Sequence, residues 1–282
     1  MRKARTIDSV TPGIPASDGA GVKLTRMIGA GRLPEADPFL LLDQIRSEDS
    51  ADYIAGFPEH PHRGFETVTI MIDGKMRHGD NKGHAGVIGP GGVQWMTAGR
   101  GIVHSERPEQ TEGRLWGFQL WINLPRAEKM TAPRYQEFSA ERIPVDQREG
   151  AKARLFAGSL STGVRGPATS AATDPTLLDL ILDPGARFEE PLRDGYTVVA
   201  AVYAGSVKAQ NADGRETVIR DPNLALMGRQ GDLVLTAGDD GARCLVIAAK
   251  PLNEPIARMG PFVMTTQAEL QQAVVDYQTG RF

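Results

Sequence analysis

The stretch Phe57-Pro58-Glu59-His60-Pro61-His62-Arg63-Gly64-Phe65-Glu66 places two histidines one residue apart, beside the strand-forming run Glu66 to Ile72. Side chains alternate along a strand, so this spacing puts both imidazole rings on one face. Their Cα atoms would lie about 6.6 Å apart, close enough for both rings to bind one metal ion about 2.1 Å from each nitrogen. The same spacing alone also fits two surface histidines at a strand start.

A second cluster favours the metal interpretation. In Gly99-Arg100-Gly101-Ile102-Val103-His104-Ser105-Glu106, a glycine-rich turn leads into another pair of ligand-type residues on one strand face. Two such pairs on neighbouring strands predict a site formed by His60, His62, His104 and Glu106. Three imidazoles and one carboxylate suit Fe(II), Mn(II), Ni(II), Cu(II) or Zn(II), so the donor atoms do not select the metal.

The distribution of histidine restricts this site to the first half of the chain. All five histidines lie at or before His104. His78 follows the Asp73-Gly74 turn in a charged hairpin, where an exposed side chain is expected. His84 lies in a loop, where it has either a structural hydrogen-bonding role or a place at the mouth of the site.

The remaining pattern predicts an all-β fold with one helix. Short runs rich in β-branched and aromatic residues alternate with glycine and proline turns. The strand runs are Glu66 to Ile72, Gly92 to Met96, Leu115 to Leu124, Leu177 to Leu182, Thr197 to Tyr203, Leu233 to Thr236 and Arg243 to Ala249. Near the end, Thr266-Gln267-Ala268-Glu269 fits a capping box, followed by apolar residues at helical spacing.

Length and composition predict two domains and exclude several classes of protein. The 282 residues are about twice a typical domain, and the polar run Ala132 to Gly150 separates a domain at 1–131 from one at 151–282. A net charge of −3 without a basic run disfavours direct nucleic-acid binding. No stretch, including Met1 to Val10, has the apolar length of an export signal or membrane span, so we expect an unexported protein without a membrane segment. Cys244 is expected on a buried strand.

Longer wording around both motifs resembles the pirins, a family within the cupin superfamily. The resemblance includes the stretch from Phe57 through Val68, the stretch Gln94-Trp95-Met96-Thr97-Ala98 leading into Gly99 to Glu106, the block Gln119 to Pro125, and the tail from Glu254 to Met264. It therefore extends over nearly the whole chain. The implied fold is a bicupin: two antiparallel β-barrels with Fe(II) in the N-terminal one.

The resemblance also implies an activity and its alternative. Pirins are similar to quercetin 2,3-dioxygenases, which open the heterocycle of a flavonol with O2 and release carbon monoxide. Bacterial members are cytoplasmic, whereas eukaryotic members are nuclear cofactors of transcription regulators. The alternative function is therefore a metal-dependent regulatory protein that binds a transcriptional or metabolic partner according to its iron state.

The sequence differs from a generic cupin in two places, and three further residues are candidates for the substrate pocket or the core. A generic cupin would use Glu66 as the acidic ligand, whereas the pirin wording selects Glu106, which could also serve as the catalytic base. The second half has no histidine where a metal motif would fall, at residues 184–191, so its barrel is expected to be structural. Phe57, Trp95 and Gln119 are candidate neighbours of the substrate pocket, and packing in the core is the role favoured for each.

Overall fold

The computed structural model describes residues 3–282 and confirms the all-β prediction. Met1 and Arg2, which belong to the stretch predicted to lack an export signal, lie outside the described residues. Within residues 3–282 the chain forms 22 strands, two short 3-10 turns at Ser50–Asp52 and Ala140–Arg142, and one α-helix. None of the helical segments in this range has the length and apolarity needed to span a membrane.

The chain divides into two compact units whose segments interleave in sequence. One unit contains residues 3–14, 30–36 and 141–251, and the other contains residues 15–29, 37–140 and 252–282. The first segment of the chain thus belongs with the later half, and the last segment belongs with the earlier half. The predicted boundary between two domains at residues 132–150 stays a prediction.

The unit that carries the histidines contains two sheets. Its larger sheet has seven strands in the spatial order β12, β9, β6, β11, β4, β3, β2. These strands are β2 (Ile14–Asp18), β3 (Val22–Ile28), β4 (Phe39–Ser47), β6 (Phe65–Asp73), β9 (Val93–Thr97), β11 (Leu115–Asn123) and β12 (Arg134–Phe138). The smaller sheet has the order β5, β10, β7, β8, from β5 (Phe57–His62), β7 (Met76–Asp80), β8 (Ala85–Ile88) and β10 (Ile102–Pro108).

A hairpin and the helix complete this unit. The hairpin strands are β21 (Ala257–Met259) and β22 (Phe262–Met264), and the helix is α1 (Gln267–Gln278). The predicted capping box is confirmed, since the Thr266 hydroxyl accepts from the Glu269 N–H and the Glu269 carboxylate accepts from the Thr266 N–H. Leu270 and Ala273 bury the apolar face of α1 against Phe262 and Met264.

The other unit is a nine-stranded antiparallel sheet around an apolar core. Its strands are β1 (Ile7–Pro12), β13 (Val145–Arg148), β14 (Ala151–Ala157), β15 (Thr176–Leu182), β16 (Arg187–Glu190), β17 (Thr197–Gln210), β18 (Glu216–Arg220), β19 (Asn223–Met227) and β20 (Leu233–Ala249). Inward side chains such as Leu155, Leu180 and Val202 are fully buried. Cys244 belongs to this core as predicted, and burial raises the pKa of its thiol.

One sequence interpretation of local structure was wrong. The runs Leu233 to Thr236 and Arg243 to Ala249 form one continuous strand, β20, instead of two. Gly205 and Gly241 both have positive φ, and a Cβ on Gly205, which pairs with Ala242, would meet the Gly241 carbonyl oxygen at 2.1 Å. These glycines therefore allow the backbones of β17 and β20 to approach closely at a register shift, and the pairing of the two strands continues on both sides of it. The polar run 132–150 contains β12 and β13.

Candidate metal centre and its cavity

Three histidines of the first half converge on one point. Strands β5 and β10 pair antiparallel with His104 directly opposite His60, and His62 lies two residues further along the same face. The ring centroids are 4.5 Å apart for His60 and His104, 4.7 Å for His60 and His62, and 5.0 Å for His62 and His104. One ligand nitrogen from each ring lies within 4.8 Å of the other two. The structure therefore brings together all three predicted histidines.

The hydrogen bonds of these rings leave nitrogens directed at the centre. His60 Nδ1 lies 2.8 Å from the Pro58 carbonyl oxygen and can only donate to it, so His60 Nε2 carries the lone pair. His60 Nε2 and His62 Nε2 are 3.0 Å apart, a separation that needs a proton or a cation between them. Both ring nitrogens of His104 are buried without a hydrogen-bond partner. Buried polar atoms of this kind are normally satisfied, so the donor set fits a bound transition metal.

Burial keeps two of the rings neutral. Desolvation, reinforced by the neighbouring imidazoles His104 and His60, holds the pKa of His62 well below its usual range. The same causes, burial first and then His60 and His78, lower the pKa of His104 to about 3. Both rings are therefore unprotonated near pH 7, which is the form that binds metals.

Glu106 faces the same interior but is held by two neighbours. Its side chain is buried on the face of β10 that carries His104. The Thr69 hydroxyl lies 3.0 Å from Glu106 Oε1, and Gln119 Nε2 donates to Oε2 at 3.0 Å. Among the described residues, the group of mutually close ligand atoms contains the three histidines and not this carboxylate. The role of Glu106 as a fourth ligand stays a prediction.

Glu66, the acidic residue of the generic cupin motif, faces away from the centre. The register of β6 against β9 is continuous from Glu66 to Ile70, so Glu66 and Thr69 lie on opposite faces of the strand. Thr69 contacts Glu106, whereas the buried Glu66 carboxylate accepts a 2.7 Å hydrogen bond from Thr97 Oγ1. The cavity beside the histidines is lined by Thr69 and not by Glu66.

A cavity of about 450 Å³ opens beside the histidines. This is the size of a pocket for a small organic molecule. His60, His62, Glu106 and Gln119 form its polar end. Its walls are mostly apolar, with side chains from Leu24, Leu41, Ile45, Phe57, Met71, Met76, Leu115, Phe118 and Trp121.

A second polar group lines the same cavity away from the histidines. Arg26 donates to both carboxylate oxygens of Asp43, from Nε at 2.9 Å and from Nη2 at 2.7 Å, and its Nη2 also donates to Asp18 at 2.9 Å. Burial raises the pKa of Asp43, although the Arg26 guanidinium acts to lower it.

The sequence analysis missed Thr69, Asp43 and Arg26. For Asp43 a signal was available, because the residue interrupts the apolar run Phe39-Leu40-Leu41-Leu42-Asp43 and a buried charge requires a partner. For Thr69 no motif was available, since its contact with Glu106 depends on how two sheets face each other.

The outcomes for the other candidate residues are mixed. Phe57 and Gln119 line the cavity instead of taking the favoured core role, whereas Trp95 is fully buried in the core and does not line the cavity. The expectation of an exposed His78 was wrong, since the side chain is 5% exposed and its Nε2 lies 2.7 Å from the Glu137 carboxylate. His84 is exposed, and its Nδ1 lies 2.9 Å from an oxygen of Asp80, which agrees with a structural hydrogen-bonding role.

The corresponding strand of the other unit has no comparable group. Strand β16 ends at Glu190, whose buried carboxylate accepts from the Ser161 N–H at 2.6 Å and from Arg148. Across residues 3–282, the histidine trio is the one cluster of three or more metal-ligand side chains.

Comparisons with known proteins agree with this architecture. The family model described as Pirin matches residues 21–122, and the model described as Pirin C-terminal cupin domain matches residues 177–282. A pirin-like protein of Caulobacter vibrioides is 48% identical over 282 residues, with 99% of each chain covered. A Pseudomonas aeruginosa protein with a provisional quercetin 2,3-dioxygenase name is 45% identical over 284 residues and 99% of each chain.

A solved structure supports the fold. The crystal structure of a quercetin 2,3-dioxygenase from Acinetobacter baumannii matches with a TM-score of 0.88 at 32% identity, covering 99% of both chains. The expected double-barrel cupin fold is thereby confirmed.

Proposed function

The chain belongs to the pirin family, and we propose that it is a metal-dependent dioxygenase that opens flavonol-type substrates with O2. The observation that carries the proposal is the convergence of the three histidines, two of which, His60 and His62, line one end of a largely apolar cavity of about 450 Å³. Relatives and a solved structure with quercetin 2,3-dioxygenase names support it.

We assign the metal ligands to His60, His62, His104 and Glu106, with Fe(II) as the ion. The donor set itself also accepts Mn(II), Ni(II), Cu(II) or Zn(II). When bound, the ion supplies Lewis-acid and redox chemistry at coordination positions that the protein leaves open. One carboxylate against a divalent cation leaves the centre positive, so it favours an ionised enol as substrate.

The protein supplies orientation and a base. A flavonol is a planar aromatic molecule with adjacent hydroxyl and carbonyl groups, and the apolar walls formed by residues such as Phe57, Met71 and Trp121 suit its ring system. Glu106 takes the proton of the substrate hydroxyl, because the histidines are committed as neutral ligands. Gln119 holds that carboxylate by donating to one of its oxygens, and the Thr69 hydroxyl, whose one proton is shared between Glu106 Oε1 and Gln119 Oε1, lies beside the other.

The overall reaction balances with O2 as the oxidant. Two carbon–carbon bonds of the heterocycle break, and both atoms of O2 enter the ring-opened product. The carbon that bore the hydroxyl leaves as carbon monoxide. No reductant is required, since the substrate supplies all the electrons that O2 accepts.

The test is anaerobic loading with Fe(II), followed by addition of O2 and quercetin. We expect O2 consumption and carbon monoxide release in a 1:1 ratio, and loss of both in His104→Ala. The matched control is His84→Ala, which removes an exposed imidazole of the same unit and should leave the rate unchanged. Absence of O2 uptake by the iron-loaded protein with every flavonol offered would overturn the proposal.

A further inference from the structure

A row of polar side chains crosses the otherwise apolar cavity wall. On neighbouring strands of the seven-stranded sheet, Thr69 lies opposite Gln119, Gln119 lies opposite Asp43, and Asp43 lies opposite Arg26. Directly opposed residues share a face of the sheet, and all four line the cavity. The row begins at Glu106, which Thr69 and Gln119 contact, and ends at the Arg26–Asp43 ion pair.

The ion pair retains hydrogen-bonding capacity toward the cavity. Each Asp43 oxygen accepts one bond from Arg26, and an ionised carboxylate has about four acceptor positions, so acceptor sites remain. The three bonds from Arg26 to Asp43 and Asp18 use Nε and Nη2, which leaves Nη1 out of this network. The pair can therefore both accept from and donate to a ligand.

The charges in this group balance, which suits a neutral ligand group. Arg26 contacts two carboxylates, Asp43 and Asp18, so the three side chains together carry no excess positive charge. Arg258 also lines the cavity and acts on Asp43, so two arginines face two aspartates and the group offers a ligand no excess charge of either sign. A neutral hydroxyl, which donates to Asp43 and accepts from Arg26, satisfies both.

We propose that Asp43 and Arg26 form a specificity subsite that recognises phenolic hydroxyl groups on the part of the substrate remote from the metal. This inference rests on the proposed function and deepens it, since it selects polyhydroxylated over unsubstituted flavonols. Arg26 lies two strand spacings from Gln119, about 10 Å. A fused bicyclic ring with a pendant phenyl group spans this distance, so the pendant ring meets the ion pair while the enol oxygens remain near Glu106.

The test compares three flavonols with the same fused ring system and different pendant rings. Galangin has no hydroxyl on that ring, kaempferol has one and quercetin has two. Their affinities for the Fe(II)-loaded protein are measured without O2 by calorimetry. We expect quercetin to bind about tenfold more tightly than galangin, since the hydroxyls of its pendant ring can form hydrogen bonds to the charged groups of the ion pair.

Two variants each remove one charged group of the subsite. In the variants Asp43→Asn and Arg26→Gln we expect the ratio of quercetin affinity to galangin affinity to fall below about threefold. Two variants are used because one of them could fail to fold. The matched control is Asp73→Asn, which breaks a carboxylate–arginine pair with the exposed Arg114, outside the cavity lining. It should retain the full preference.

Binding and turnover separate this inference from the function on which it rests. Equal affinity of the native protein for the three flavonols, or an unchanged preference in both subsite variants, would overturn the subsite even if all three are cleaved. A clear binding preference that the variants abolish, in a protein that never consumes O2, would support the subsite and overturn the dioxygenase function.

Discussion

Two buried glutamates on strands of different sheets, Glu66 on β6 and Glu106 on β10, have the same side chain and different surroundings. Glu106 faces the cavity, whereas Glu66 accepts a hydrogen bond from Thr97 on the opposite face of its strand. We predict that Glu106→Gln keeps much of the metal and loses turnover by about 100-fold or more, because an amide cannot take the substrate proton. Steady-state O2 uptake at matched iron content is the measurement.

Glu66→Gln is the paired control for Glu106. It should change turnover far less, because the side chain does not reach the cavity. Equal losses in the two variants would mean that the carboxylates act through general stability, and the assignment of the base would fail.

The histidine ligands should be separable from the fold. We predict that alanine at His60, His62 or His104 abolishes tight Fe(II) binding and leaves the circular dichroism spectrum unchanged, because the unit buries enough apolar surface to fold without an ion. Iron retained after desalting, measured with a chelating dye, gives the readout. An unfolded apo-protein would contradict this prediction and make the metal structural.

The positions of single residues could be predicted from the sequence where a short motif determines them. His60 and His62 share a face because of their spacing, and that relation needs no tertiary information. The contact of Thr69 with Glu106 joins residues of different sheets, and the burial of His78 depends on Glu137, 59 residues away. Neither relation is visible in a local pattern.

Among the elements, helix α1 is fixed to the strand that carries His62 by a buried ion pair. Arg63 Nη1 donates to the Asp276 carboxylate at 2.7 Å, and this bond, assisted by Gln272 and Arg281, lowers the pKa of Asp276 to about 2. An unfolded aspartate has a pKa near 3.9, so the unfolded chain binds more protons between about pH 4 and pH 2. The stabilising contribution is therefore complete above pH 4 and lost as the pH falls to 2.

We predict that Asp276→Asn lowers the urea midpoint at pH 5 to 7 and that the difference from the native protein shrinks toward pH 2.5. Chemical denaturation of both proteins across this range is the measurement. A difference that stays constant from pH 2.5 to 7 would show that the charge of Asp276 does not contribute.

The elements themselves were predicted with uneven success, for physical reasons. Helix α1 has its capping box in four consecutive residues, so the signal is complete locally. Strand β20 was divided because Asp239-Asp240-Gly241 has the composition of a turn. In the structure Gly241 lies within a strand whose pairing with β15, β16 and β17 continues on both sides.

For the whole molecule, the asymmetry between the two units predicts one metal ion per chain. In the unit without histidines, the Glu190 carboxylate is occupied by Ser161 and Arg148, and apolar side chains such as Leu155 and Val202 fill the interior. Elemental analysis of the iron-loaded protein should give one ion per chain after removal of loosely bound metal. Two tightly bound ions would refute this prediction.

The all-β class and the double barrel were predictable from the alternation of strands and turns and from the family wording. The interleaving of the two units was not, because residues 3–14 and 252–282 join their units through pairing with distant strands and through side-chain packing. Such long-range partners leave no mark in the composition of either segment.

We propose that His60, His62, His104 and Glu106 together hold the metal beside the cavity. A crystal structure of the Fe(II)-loaded protein, with anomalous diffraction collected at the iron absorption edge, tests this ligand set. We predict one anomalous peak per chain, about 2.1 Å from a nitrogen of each histidine and within bonding distance of a Glu106 oxygen. A peak bound by Glu66 with Glu106 turned away, or a peak outside the histidine cluster, would contradict the account.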